Sequence, residues 1–309
     1  MDKQSSLVRT TLLLMVVLGL VPLLGTPASQ GQTTSITSSG LNTKVTLGSV
    51  DPAGRQNYDI TGGTRPGNGG NLFHSFGEFS VGTNNVARFG NDSGLATTNI
   101  LSRVTGGNPS NISGEINTAN FPGANLYLIN PAGVVFGSTA TLNVGGSVKV
   151  STADYLRLAD GLRFNAVPGP QDALLSSSPV AAFGFLNAAP RPISVQGATL
   201  EVPGPQIISG VGPVAGSEEA LSLVGGDITI AGGTLKAPSG QVHLLSVASR
   251  GEVHPSTGSG AGTPGLSELR GPQTLGRITL TDSLIQTNPV PFGGGGDIVI
   301  RGGQLVMQH

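Results

Sequence analysis

Catalysis and metal binding need groups that titrate, attack or ligate, and this chain has few of them. Of its 309 residues only 11% are charged, four are His and none is Cys. Without thiols there is no Cys nucleophile and no Cys-ligated metal. His74, His243, His254 and His309 share no metal-type spacing. His74 lies in a Phe-rich stretch and reads as a packed or hydrogen-bonded structural residue. His243, in GQVHLLSV, falls on a strand and is expected to face outward. Serine is abundant, yet no Gly-x-Ser-x-Gly elbow precedes a usable Asp and His. The acids are scattered: Asp51, Asp59, Glu78, Asp92, Glu115, Asp154, Asp160. Glu218 and Glu219 are adjacent, so in a strand they point to opposite faces. Carboxylates that cleave a polysaccharide must converge from neighbouring turns of chain. Only Asp227 and Asp297 recur at an equivalent repeat position, and there a turn cap is the simpler reading. Residues 293–300 (GGGGDIVI) are one residue short of the calcium nonapeptide and occur once, where a calcium roll needs stacked copies. The chain is therefore read as a non-enzyme, with no catalytic residue, metal site or cofactor. A net charge of −1 without a basic stripe excludes nucleic acid as an expected partner.

The elements that carry these residues are short strands and turns. There are 49 Gly without a Gly-X-Y period, so the chain is not collagen. Few charges at ordinary hydrophobicity argue against disorder. ISVQGATLEV (193–202), GGDITIAGGTLKA (225–237), GRITLTDSLIQT (276–287) and GGDIVIRGGQLVM (295–307) share one form, an Ile-x-Ile/Val/Leu strand, small residues, then a second short apolar strand. The second and fourth are near duplicates. Repeats of this form predict an all-β solenoid, a parallel β-helix with one coil per repeat. The stretch 125–154 is strand, turn, strand, turn, strand. Leu126 and Leu128 alternate against Tyr127 and Ile129, and the turn is Asn130-Pro131-Ala132-Gly133, where Pro131 fixes its own φ and Gly133 can take a positive one. Residues 36–60 suit an N-terminal cap, which a solenoid needs over its open end. Phe73, Phe76 and Phe79 read as plugs under that cap, with an aromatic ligand box as the alternative. Residues 167–192 are Pro-rich and lose alternation. They are expected to leave the main body as a loop or hairpin, packed back by Phe183 and Phe185. Residues 253–264 read as a corner loop or linker. Residues 193–309 are further rungs that stop in mid-repeat, either truncated or capped by the loops. Residues 1–28 read as a signal peptide, with Lys3 and Arg9 ahead of an apolar run and cleavage at 28–31.

NPAGVVFG followed by LNVGGS and STAD resembles the secretion domain of filamentous haemagglutinin-type exoproteins, the cargo half of two-partner secretion. The family's second signature reads Asn-Pro-Asn-Gly-Ile; here it is Asn130-Pro131-Ala132-Gly133-Val134. NLFHSFGEFSVGTNNVARF (71–89) and NILSRVTGGNPSNISGEI (99–116) fit as well. The family's other tetrapeptide, Asn-Pro-Asn-Leu, is absent, and its nearest counterpart is Gly69-Gly70-Asn71-Leu72. Asn71, Leu72, Asn108 and Pro109 are the secondary motif candidates. The resemblance is best over 37–166, so 32–166 is taken as the secretion domain with its cap. It implies a right-handed parallel β-helix with an N-terminal β cap and extra-helical loops or a hairpin. It also implies export by the general secretory translocon and recognition by the periplasmic domains of a partner outer-membrane pore protein. The product is then secreted or held on the outer surface of a Gram-negative cell, in an adhesin-type role with a host or cell-surface receptor. A polysaccharide-acting β-helix enzyme and the N-terminal part of a contact-dependent toxin delivery protein are the alternatives. The absence of Cys fits passage through a pore unfolded, or composition alone. The turn at Asn130, Pro131 and Gly133 is open to two readings: a recognition signal, or a structural corner.

Overall fold

The computed structural model describes residues 33–204, 220–254, 274–288 and 295–309, and the backbone of the short strands Ile207–Ile208, Gly212–Pro213 and Leu269–Arg270. The signal-peptide reading, Glu218-Glu219, Gly293-Gly294 and most of 253–264 lie outside the described residues.

Three walls of strands wind into one coil. The long wall holds, in spatial order, Ser35–Gly40, Asn71–Ser80, Asn99–Val104, Asn125–Ile129, Val148–Ser151, Ala220–Gly225, Gln241–Ser246 and Ile298–Arg301. The second wall runs from Ser110–Ile112 through Val134–Phe136, Ile193–Gln196, Ile228–Ala231 and Arg277–Thr281 to Gln304–Gln308, all parallel. The third wall is split between a five-stranded sheet, which includes Asn85–Phe89, Glu115–Asn117 and Thr141–Asn143, and a three-stranded one of Thr199–Glu201, Thr234–Lys236 and Leu284–Gln286. The chain visits the walls in turn, as in Asn99–Val104, Ser110–Ile112 and Glu115–Asn117, then starts the next coil. This is a parallel β-helix. Alternation explains it: Leu126 and Leu128 stack on Val148 and Val150, which stack on Leu221 and Leu223, then on Val242 and Leu244. All eight are at most 2% exposed and share one core with the inward residues of the other walls. Each such side chain contributes about 1.5–3 kcal/mol by leaving water.

The N-terminal end is closed by antiparallel pairs. Ser35–Gly40 lies against Asn71–Ser80, and Thr43–Val50 against Gln56–Gly62. A two-residue turn joins Ser35–Gly40 to Thr43–Val50, with Leu41 and Asn42 both left-handed at φ 52 and 55. Two of the three Phe residues plug this end as expected, and the third does not. A register shift at Gly77 and Glu78 brings Phe79 onto the face of Phe76, inside the coil, while Phe73 points outward.

Two features differ from the sequence reading. An antiparallel sheet of Tyr155–Leu158, Arg163–Asn165, Val180–Phe185, Gly251–Val253 and Leu269–Arg270 lies outside the coil. It begins at Tyr155, ahead of the 167 boundary suggested by the Pro-rich text. It forms where the chain leaves between the long and second walls, once after Val148–Ser151 and again after Gln241–Ser246. Its apolar face covers the outward side of the long wall, so Phe73, Leu101, Tyr127 and Ile129 are buried together with Leu156, Phe164, Phe183 and Phe185. The second difference is register. Ile228–Ala231 is in the second wall, but its near duplicate Ile298–Arg301 is in the long wall, against Gln241–Ser246. Asp227 and Asp297 therefore stand at different walls: the Asp227 carbonyl accepts Ile193 N–H at 3.0 Å and its carboxylate accepts Arg277 N–H at 2.8 Å, whereas the Asp297 carbonyl accepts Val242 N–H of the long wall at 2.9 Å. Every wall presents the same inward alternation to one core, so a strand's text does not say which wall it joins.

Candidate recognition corner

Asn130 ends the strand Asn125–Ile129 and is 1% exposed. Its Oδ1 accepts the Ala132 N–H at 2.9 Å, a local turn that mimics a backbone bond. Its Nδ2 donates to the Asn108 carbonyl and to Ser110 Oγ, both at 3.0 Å. Its backbone N–H donates to Ser151 at 2.9 Å, and its carbonyl accepts Gly133 N–H at 3.0 Å. One residue thus ties three successive rungs at one corner, two through its side-chain amide and the third through its backbone N–H. Gly133 has φ 117, and a Cβ there would stand 3.3 Å from the Pro192 carbonyl oxygen. Val134 then opens the second-wall strand, with Ser110 on one side and Ile193 on the other.

Asn108 and Pro109 form the corner of the preceding rung. The structure brings these two motif candidates together with Asn130: besides the Asn130 amide bond, Gly133 accepts the Ser110 N–H at 3.0 Å. Asn108 and Pro109 are exposed, and Asn108 Nδ2 donates to Glu78 Oε1 at 2.8 Å. At the central turn Asn130, Gly133 and Val134 are buried, so only Pro131 and Ala132 are partly accessible. Pro131 borders a cavity of about 430 Å³ with Thr152, Asp154 and the 187–191 segment. Asp154 is occupied in its wall, accepting Leu186 N–H at 2.6 Å and Asn187 Nδ2 at 3.1 Å. Asn71 and Leu72 are not part of this corner. Leu72 is inside the coil, and Asn71 is on the outer side of the long wall.

Sequence reasoning missed the amide ladder that Asn71 begins. Asn99 Nδ2 donates to Asn71 Oδ1 at 2.9 Å, and Asn125 Nδ2 to Asn99 Oδ1 at 3.0 Å. The signal was present: Asn opens NLFHS, NILSR and NLYLI at one register position. Arg103 was missed too. It is 1% exposed, gives Nε to Ser75 Oγ at 2.8 Å and Nη1 to the Asn165 carbonyl at 2.9 Å, and forks onto Asp172 at 2.8 and 2.6 Å.

Two of the histidines, His74 and His243, sit in dry places. His74 points into the first coil, with Nδ1 at 3.3 Å from Thr43 Oγ1 and its ring against Phe76 and Phe89. Burial pushes its pKa down to about 3. His243 points away from the coil interior as expected, but it is only 5% exposed rather than solvated. Its Nδ1 is 3.3 Å from Ser222 Oγ, and burial, with Lys149 nearby, pushes its pKa down to about 4. The acids are spent on local partners: Asp51 and Glu115 on Arg55, Asp59 on Arg88, Glu252 on Arg157 and Tyr155. Among the described residues no group of three His, Asp or Glu converges as a metal site would require.

The family model of the TPS secretion domain matches residues 33–300. The match thus extends past 166 to take in the outer sheet and the later coils. Among solved structures, the HMW1 secretion domain from Haemophilus influenzae is similar with a TM-score of 0.49 and 16% identity, over 87% of this chain and 62% of that one. The filamentous hemagglutinin secretion domain is similar with a TM-score of 0.39 and 14% identity, over 88% of this chain and 96% of that one. The chain therefore spans 62% of the length of the HMW1 structure it matches. No curated protein matches it.

Proposed function

Since the chain belongs to the TPS secretion domain family, we propose that it is a surface exoprotein of the adhesin type, guided by this domain to a partner outer-membrane pore. The family match over 33–300 is the observation that carries the reading. On this reading the general secretory translocon delivers the chain to the periplasm. There the pore protein's periplasmic domains engage it, and the product is released or retained at the outer surface of a Gram-negative cell. The signature corner supports engagement before folding is complete. In the folded coil Asn130 is 1% exposed and its amide is fully engaged with Asn108, Ser110 and Ala132. A partner can read that amide only while the corner is open. Once outside, each rung that stacks buries its Ile, Val and Leu on the last, and this burial pulls the equilibrium forward.

The test is secretion of the 309-residue chain from a Gram-negative host with and without the pore protein encoded beside its gene. Release into the medium only with the pore is expected. Asn130→Ala should reduce release at least tenfold in pulse-labelled cells. If purified Asn130→Ala refolds with the parent's circular dichroism and melting point, the lost release is a recognition defect. Release without the pore overturns the reading.

A further inference from the structure

The outer side of the long wall holds a groove that the secretion reading does not use. It lies between the wall and the 177–180 segment that returns to the outer sheet, and has a volume of about 500 Å³, within the range of small-ligand sites. Its floor is the amide ladder. Successive amides sit one rung apart, roughly 4.8 Å, and are fixed by their own bonds. Asn71 has no donor left: it gives both N–H groups to the Ser176 and Ser178 carbonyls, at 3.1 and 2.8 Å, and accepts from Asn99. Asn99 and Asn125 each give one N–H along the ladder, and Asn125 Oδ1 accepts Ser147 N–H at 3.0 Å. An amide has two N–H groups and a carbonyl with two lone pairs, so each of these two retains one donor and acceptor capacity. The Thr98 and Ser177 side chains add hydroxyls to the lining. Tyr127, Pro179 and Val180 add an apolar border, with Lys149 Nζ 4.9 Å from the Tyr127 ring centroid. The lining holds no carboxylate among the described residues.

We propose that this groove binds a neutral sugar unit of a surface glycan. Fixed amides that both donate and accept match hydroxyls, which do the same. The one-rung separation matches hydroxyls on alternate carbons of a pyranose ring, and the apolar border suits the ring's C–H face. A preformed floor loses little side-chain freedom on binding. The site is separate from the corner at Asn130, so its failure leaves the secretion reading untouched.

The experiment titrates the purified 309-residue chain with the methyl glycosides of galactose, glucose, mannose and N-acetylglucosamine, read by saturation-transfer NMR and calorimetry. Saturable binding of at least one is expected. Asn125→Ala, which removes a floor amide, and Ser177→Trp, which fills the groove from its exposed rim, should each weaken it tenfold or more. If Asn125→Ala lowers the melting point, Ser177→Trp carries the test alone. No saturable binding by any of the four glycosides overturns the proposal, and so does binding unchanged in Ser177→Trp.

Discussion

At the scale of single residues, two buried polar groups set the energetics. Arg103 joins the coil to the Asp172 turn outside it, with its guanidinium 5.1 Å from the Phe164 ring centroid. Truncation strands Asp172 and the Asn165 carbonyl, so Arg103→Ala should cost about 3–5 kcal/mol in urea unfolding. Arg103→Lys should recover little, because an ammonium cannot fork onto a carboxylate while also reaching Ser75. A Lys variant as stable as the parent would show that charge alone matters here. His74 governs the acid side. Unfolded, it titrates near 6.5; folded, it stays neutral down to about 3, through burial first and then Arg65, opposed by Asp92. Between those values the unfolded chain holds the extra proton, so stability is complete above pH 6.5 and falls as the pH drops toward 3. At pH 4.5 the loss should be on the order of 2–3 kcal/mol relative to pH 7. His243 adds to it over the same window down to about 4. His74→Gln should flatten the slope of urea midpoint against pH, and an unchanged slope would refute the assignment. The corner at Asn130 was legible because Asn-Pro-x-Gly is a dense local signal. Arg103 was not, since its partners Asp172 and Asn165 lie far along the chain.

At the scale of elements, the corners are as specific as the strands. Gly133 and Gly107 both have positive φ, at 117 and 81. A Cβ at Gly133 meets the Pro192 carbonyl at 3.3 Å, whereas a Cβ at Gly107 has nothing within 4 Å. Gly107→Ala should therefore cost only the backbone strain, about 1 kcal/mol, while Gly133→Ala should cost about 2–3 kcal/mol and loosen the stacking of residues 190–192. Paired thermal melts of the two variants measure the difference, and equal losses would refute the contact argument. Strands themselves were readable from alternation, because one face of each strand enters a continuous core. Their wall was not. ITIA and IVIR are both Ile-x-Ile strands after Gly-Gly-Asp, yet they stack on Arg277–Thr281 and Gln241–Ser246 respectively. What places them is the count of rungs below, a property of the assembled coil.

At the scale of the whole molecule the described residues form two cores, and chain topology predicts that they close at different times. The coil core is built from neighbours in the winding order, so it can propagate rung by rung. The outer core needs Tyr155–Leu158 and Val180–Phe185 to fold back over strands as early as Asn71–Ser80, and needs Gly251–Val253 to pair with Phe183–Phe185. Such distant closure is slow, because loop-closure entropy is lost before the contacts form. The sequence carried one trace of this second core: NLYLI is apolar on both faces, as a strand covered on both sides must be, but the text does not say that the cover comes from Tyr155–Leu158 and Val180–Phe185, far along the chain. Phe164 is fully buried in the outer core, edge-on to Phe73 at 5.0 Å between centroids. Phe164→Ala should cost about 3–5 kcal/mol by cavity formation. The loss should fall on the outer sheet alone. Hydrogen exchange in 155–185 should speed up, while the coil strands Asn125–Ile129 and Val148–Ser151, whose bonds run to neighbouring rungs, keep their protection. Equal acceleration in both regions would mean that coil and outer sheet unfold as one unit, and the two-step order would have to be abandoned.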